Sequence, residues 1–163
     1  MAVLHDLPTR TADDLADLPA AEIGRHLAQA GGGALALMKA LLDRIEKHPR
    51  PVFLTVTVQR ALAEAREADA RLAAGQPLSP LDGVPVAWKD LVDMAGERTS
   101  VASPAFAEVP PAAQDAAVVR NAARAGMVSL GKLNMAEFAY SALGQNPHFG
   151  TPLNPRSPEP HAP

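Results

Sequence analysis

Pro80-Leu81-Asp82-Gly83-Val84-Pro85-Val86-Ala87-Trp88-Lys89-Asp90 is the stretch on which the fold turns. Residues 84–88 are apolar, and the turn-forming pair Asp82-Gly83 precedes them. This pattern predicts a short strand over 83–89. Pro85 carries no N–H, so the strand is expected at a sheet edge or to begin near it. A lone lysine, Lys89, follows the apolar run at the strand's C-terminal end. In α/β folds functional groups gather at such ends.

Working outward, the flanks supply helices. Upstream, Ala61, Leu62, Ala65, Ala68, Asp69 and Leu72 recur at helical spacing and stop at Gly75. Glu64, Arg66, Glu67 and Arg71 mark the other face, expected to be solvated. Before that helix, Val52 to Val58 is rich in β-branched residues and predicts an extended segment. Leu35, Met38, Leu41, Leu42 and Ile45 define an amphipathic helix over 34–47, ended by His48-Pro49. Another begins at Pro19, carries Ile23 and Leu27, and stops at Gly31-Gly32-Gly33. Residues 1–18 show no period and are expected to be irregular. Two to three helices therefore fill 19–74. Downstream, Gln76 to Gly83 and Gly96 to Pro111 are loops. Asp115 suits the N-cap of a helix over 115–125, and a buried strand over 127–130 follows. Prolines concentrate in a tail over 147–163, which can be neither helix nor central strand. The alternation of elements predicts an α/β chain with a single domain over 1–163.

Composition narrows the function classes. The chain has 163 residues, of which 47% are hydrophobic, 20% charged and only 4% aromatic. It can therefore bury a core, and that core must be built from small aliphatic side chains. With no cysteine, disulfides, thiolate zinc sites and cysteine nucleophiles are excluded. A cytoplasmic location fits. The 15 basic and 18 acidic residues are intermixed, with a net charge of −3, and no basic stripe invites nucleic acid. The longest aliphatic runs stop far short of the ~20 residues that span a bilayer, so no membrane association is expected.

Among candidate chemical groups Lys89 stands first. On spacing alone a lysine at a strand end reaches water, with Asp90 as a surface partner. Burial of a lysine favours the neutral amine, the form able to accept a proton. The five histidines, His5, His26, His48, His148 and His161, lack metal-ligand spacing, and no cofactor or metal is expected. His148 alone falls near the expected cleft. Gly31 to Gly33 lacks the Lys-Ser or Lys-Thr of a phosphate loop. Gly131-Lys132 suits an exposed turn better than an anion site. Asp82, Asp90 and Asp93 suit turn-fixing roles around the lysine. Ser100, Ser103, Ser129 and Ser141 suit loops and strand ends.

The run from Pro80 to Asp90 resembles the lysine segment of the amidase signature family, commonly Gly-Val-Pro-hydrophobic-x-x-Lys-Asp. Further stretches match in order. Ala65-Arg66-Glu67-Ala68-Asp69-Ala70 resembles the helix before the lysine strand, and Arg98-Thr99-Ser100-x-x-Ser103 the family's Arg-Thr loop. Asp115 to Val119 and Ala125 to Ala139 resemble Asp-Ala-x-Val-Val followed by Ala-Gly-Ala-x-x-x-Gly-Lys-Thr-Asn-Met-x-Glu-Phe-Ala, with Leu133 in place of the usual threonine. Asn146 to Pro155 resembles the approach to the family's serine loop.

The resemblance implies the N-terminal part of the amidase signature fold, a mixed β-sheet flanked by helices, incomplete here. It also implies a Ser–cis-Ser–Lys mechanism acting on a small amide, with Lys89 as the lysine and no cofactor. The family's Gly-Ser-rich loop maps onto no residue of the chain. Both serines, and the C-terminal half of the fold as a partner, are therefore expected to lie elsewhere. The piece alone is expected to be inactive. An amidotransferase A-type subunit is the alternative within the family. A non-catalytic remnant or interaction module is the alternative outside it.

Overall fold

A computed structural model describes residues 10–48 and 51–153. Pro49 and most of the proline-rich tail, from 154 on, lie outside the described residues. The elements in chain order are α1 (Ala12–Ala16), α2 (Ala20–Ala30), α3 (Ala34–Lys47), β1 (Phe53–Val56), α4 (Val58–Ala73), β2 (Pro85–Lys89), α5 (Ala117–Arg124) and β3 (Val128–Leu133). The sheet runs β1-β3-β2. β2 is parallel to β3 and β1 antiparallel to it, so the sheet is mixed. Pro85 sits on an outer strand, where its missing N–H leaves the ladder to β3 intact.

Small side chains set the packing. Ala61, Ala65 and Ala68 on one face of α4 are fully buried, with Leu72 continuing the stripe. They meet Leu27, Ala34, Leu37 and Met38 from α2 and α3, and Val84, Val128 and Leu130 from the sheet. A stripe of alanines lets helix and sheet backbones approach closely while excluding water. Gly131 extends the same economy to the sheet. A side chain there would run into the Thr55 carbonyl of β1, and its φ of +148° lies in the region that favours glycine.

Several elements depart from sequence expectation. α1 lies inside the stretch expected to be irregular. It is set by a capping box in which Thr11 Oγ1 accepts from the Asp14 N–H and the Asp14 carboxylate accepts from the Thr11 N–H. β1 is shorter than Val52–Val58, because Val58 already belongs to α4. Asp115 does not cap α5; Ala116 holds that position without a side-chain hydrogen bond. β3 runs three residues past the expected Leu130, so Gly131 and Lys132 are strand and not an exposed turn. The first residues of the expected tail form a turn, in which Asn146 Oδ1 accepts from the N–H groups of His148 and Phe149.

The start of α3 is capped from a distance. Asp69 of α4 accepts from the N–H groups of Gly33, Ala34 and Leu35 at 2.8, 2.8 and 3.1 Å. This satisfies donors that the helix cannot pair internally and places a negative charge at its positive end. Asp69→Ala is expected to destabilise the fold by about 0.5–2 kcal/mol. Leu37→Ala, which empties a fully buried site, should cost about 2–5 kcal/mol. Urea unfolding of both variants checks the ranking.

Candidate functional site

β2 and β3 run parallel, so their C-terminal ends open on the same side of the sheet. Lys89 ends β2, and in register it lies opposite Leu133, which ends β3. Its neighbours are held. Trp88 Nε1 donates to Ser129 Oγ at 3.2 Å, and the Asp90 N–H donates to the Leu133 carbonyl at 3.1 Å. The Lys89 side chain itself is exposed. Among the described residues its amine has no hydrogen-bond or ion-pair partner.

Asp90 is not the surface partner of Lys89 that the sequence suggested. Its side chain is 3% exposed and pairs with Lys132 Nζ at 2.8 Å. The Lys132 side chain is fully buried. Its ammonium also donates to the Arg98 carbonyl and to Thr99 Oγ1, both at 2.7 Å. The three N–H bonds of the ammonium therefore each have an acceptor. Two charges taken out of water are tolerable only with such complete pairing, and removing one partner of a buried pair costs about 3–5 kcal/mol.

The other oxygen of Asp90 organises the loop beyond the strand. Oδ2 accepts from the Ser100 N–H at 3.1 Å, Ser100 Oγ at 2.5 Å and the Ala102 N–H at 3.1 Å. The Asp90 carbonyl accepts from the Val101 N–H at 3.0 Å. Val101 and Ala102 adopt φ of 50° and 53°, a left-handed conformation unfavourable for residues with a Cβ and especially for a β-branched one. The run of hydrogen bonds to Asp90 holds it. The same loop is tied onward: Asn146 Nδ2 donates to the carbonyls of Ala102 and Met135, each at 2.9 Å. Ser103 Oγ donates to Glu137 at 2.6 Å, and the other Glu137 oxygen lies 3.4 Å from His148 Nε2.

The candidate serines are occupied. Ser100 is held by Asp90, Ser103 by Glu137, and Ser129 by Trp88. Ser141 is exposed and accepts from the Leu143 N–H. Asp82 is a buried turn residue, paired with Arg71 in a two-pronged contact of 2.8 and 2.9 Å. Asp93 accepts from Thr99 Oγ1 at 2.7 Å. No group of three or more His, Asp or Glu side chains among the described residues could hold a metal ion. No helix among them is long and apolar enough to cross a membrane.

Two residues of the expected solvated face of α4 are structural instead. Arg71 holds Asp82. Glu64 accepts from the Ser129 N–H at 2.7 Å and from Arg60 at 2.7 Å. Arg60 also forks onto Asp115 through two 2.8 Å bonds. Sequence reasoning missed Lys132 most plainly. A single lysine inside Met127-Val128-Ser129-Leu130-Gly131-Lys132-Leu133 was the available signal that it is interior.

The Amidase family matches residues 36–162. The chain belongs to the amidase family. The A subunit of glutamyl-tRNA(Gln) amidotransferase from Azotobacter vinelandii is 44% identical over 144 residues, covering 87% of this chain and 29% of the relative. A protein from a vestigial complex bearing on the origins of an s-triazine catabolic enzyme superposes with a TM-score of 0.81 at 37% identity. That match covers 86% of this chain and 31% of the other. Native peptide amidase from Stenotrophomonas maltophilia gives a TM-score of 0.74 at 29% identity over 87% and 31% of the two chains. The chain thus spans about 29% of the length of its curated relative.

The Arg60 fork holds the Asp115 carboxyl below the usual range, against a smaller opposing effect of burial and with help from the Ala95 N–H. A carboxyl depressed on folding contributes stability that is present above its unfolded pKa of about 3.9 and lost as pH falls through the folded value. The stability difference between parent and Asp115→Asn should therefore be flat near neutrality and shrink as pH drops below about 4. Thermal melts of both proteins from pH 7 to pH 3 check this.

Proposed function

We propose that this chain supplies Lys89 as the proton acceptor of an amidase-type site that cleaves a carbon–nitrogen amide bond. The observation that carries this is the contrast between two lysines. Lys132 is buried with every N–H donor committed, whereas Lys89 stands at the C-terminal end of a parallel strand, its flanks fixed and its amine unpartnered among the described residues. Lys132, with its three N–H bonds committed to fixed acceptors, has no lone pair to offer, which leaves Lys89 of the two. Family membership and the Gly83 to Asp90 motif support the same choice.

In the mechanism that the resemblance implies, the Lys89 amine draws a proton through a cis-serine from a nucleophilic serine. The serine oxygen attacks the amide carbonyl, the carbon–nitrogen bond breaks, and the leaving amine takes up a proton. The resulting acyl-enzyme is then opened by water, or by another acceptor. Both serines and the oxyanion donors would come from polypeptide that complements residues 1–163. Hydrolysis of a small amide and release of ammonia within an amidotransferase share these steps. The 44% identity to the A subunit of a glutamyl-tRNA(Gln) amidotransferase favours the second. A cytoplasmic location fits that role.

In the active protein containing this sequence, Lys89→Ala should lower turnover by about 10²–10⁴-fold while the fold persists. Lys89→Arg should do no better, because a guanidinium stays protonated and accepts no proton. Ammonia release from glutamine and hydrolysis of p-nitroacetanilide serve as assays. Retention of most activity by Lys89→Arg would sink the assignment. Residues 1–163 alone should take no label from a serine-directed fluorophosphonate, read by intact-mass spectrometry.

A further inference from the structure

We propose, building on Lys89 as the proton acceptor above, that Lys132 is its positioning residue. Through its buried bond to Asp90, Lys132 fixes both the strand end that carries Lys89 and the loop wall beside it.

The connections are short. Lys132 Nζ lies 2.8 Å from Asp90 Oδ1, and Asp90 directly follows Lys89. Trp88, which directly precedes Lys89, is opposite Lys132 in the β2–β3 register. Lys132 therefore holds Lys89 from both sides, by backbone pairing at Trp88 and by charge at Asp90. With Oδ1 so occupied, Oδ2 is turned to the N–H groups of Ser100 and Ala102. The Lys132 ammonium also takes the Arg98 carbonyl and Thr99 Oγ1. Thr99 Oγ1 spends its own proton on Asp93 at 2.7 Å, which leaves its lone pairs to Lys132. One buried cation thus joins β3, the end of β2 and both halves of loop 98–102.

An apolar pair of matched volume would fill the same space at least as well, because charges are costly to bury. What the pair adds is a fixed direction and distance. A long, flexible lysine such as Lys89 needs its Cα and its surroundings held, since a displacement of about 1 Å in a catalytic group can cost about 100-fold in rate.

The test separates positioning from mere support of the fold. Lys132→Met strands the Asp90 charge and is expected to lower the melting temperature. Lys132→Met combined with Asp90→Asn removes both charges while keeping an oxygen for the loop N–H groups, and should restore melting to near the parent. With glutamine or p-nitroacetanilide as substrate, kcat of that double variant should stay down by about 100-fold, with KM changed by less than threefold. Amide exchange at Ser100, Val101 and Ala102 should be at least tenfold faster than in the parent. A double variant that regains both melting and kcat would show Lys132 to be structural only, and unchanged exchange at those amides would equally overturn the proposal. Lys89→Ala, assayed in parallel, separates the two assignments. If it is inactive while the double variant has parental kcat, positioning alone fails. If it is fully active, the assignment of Lys89 as the base fails instead.

Discussion

The buried pair of Lys132 and Asp90 is the constraint on which the C-terminal ends of β2 and β3 and the loop beyond them depend. Two strands finish there, joined by backbone pairing up to Lys89 and Leu133 and by this side-chain pair. A cation with three fixed acceptors and a carboxylate with several donors convert two strand ends and a loop into one unit. The left-handed Val101 and Ala102 lie in the loop that Asp90 holds. Their conformation is unfavourable in isolation and persists because Asp90 takes the N–H groups of Ser100, Val101 and Ala102 at once. From that loop, the Val101 and Ala102 carbonyls accept from Phe138 and Asn146, so the constraint reaches the 136–149 segment as well.

The rest of the fold uses charge in the same way, around an alanine-rich core. Small side chains bring α4 close to the sheet but contribute few specific contacts of their own. Direction comes from ion pairs and carboxylate–backbone hydrogen bonds at the margins of that core. Arg60 joins α4 to Asp115, and Glu64 joins it to the start of β3. Arg71 grips Asp82 in the turn before β2, and Asp69 reaches back to the head of α3. Each links α4 to a different neighbour, so one helix fixes the placement of the sheet, the turn and the preceding helix. Gly126 belongs to the same design, since a side chain there would collide with the Asp82 carboxylate.

The chain belongs to the amidase family and spans about 29% of the length of its curated relative. Among the described residues, Lys89 ends β2 without a partner for its amine, beside a loop that Asp90 ties to β3. The amide cleavage proposed for this site would ask for such an arrangement. The base must stay in line with a proton path while bonds change partners, and the rigidity must come from groups that do not themselves react.

By itself the sequence determined the elements with strong periodicity: the helical stripe of Ala61, Ala65, Ala68 and Leu72, the helix over 34–47, and the apolar strand ending at Lys89. Those signals are local, because hydrophobic period and a proline's missing donor act within a few residues. It also determined the family, through motifs in order, and singled out Lys89. Only the tertiary structure decided which charges are interior. Glu64 and Arg71 look like surface residues of a helix, Asp115 looks like a cap, and Asp90 looks like the partner of the lysine beside it. Each instead pairs with a residue distant in sequence or on another element. Lys132 looked like part of a turn and is buried in β3. The physical reason is that burial of a charge is settled by whether partners from elsewhere in the chain converge on it, and no local pattern encodes that convergence.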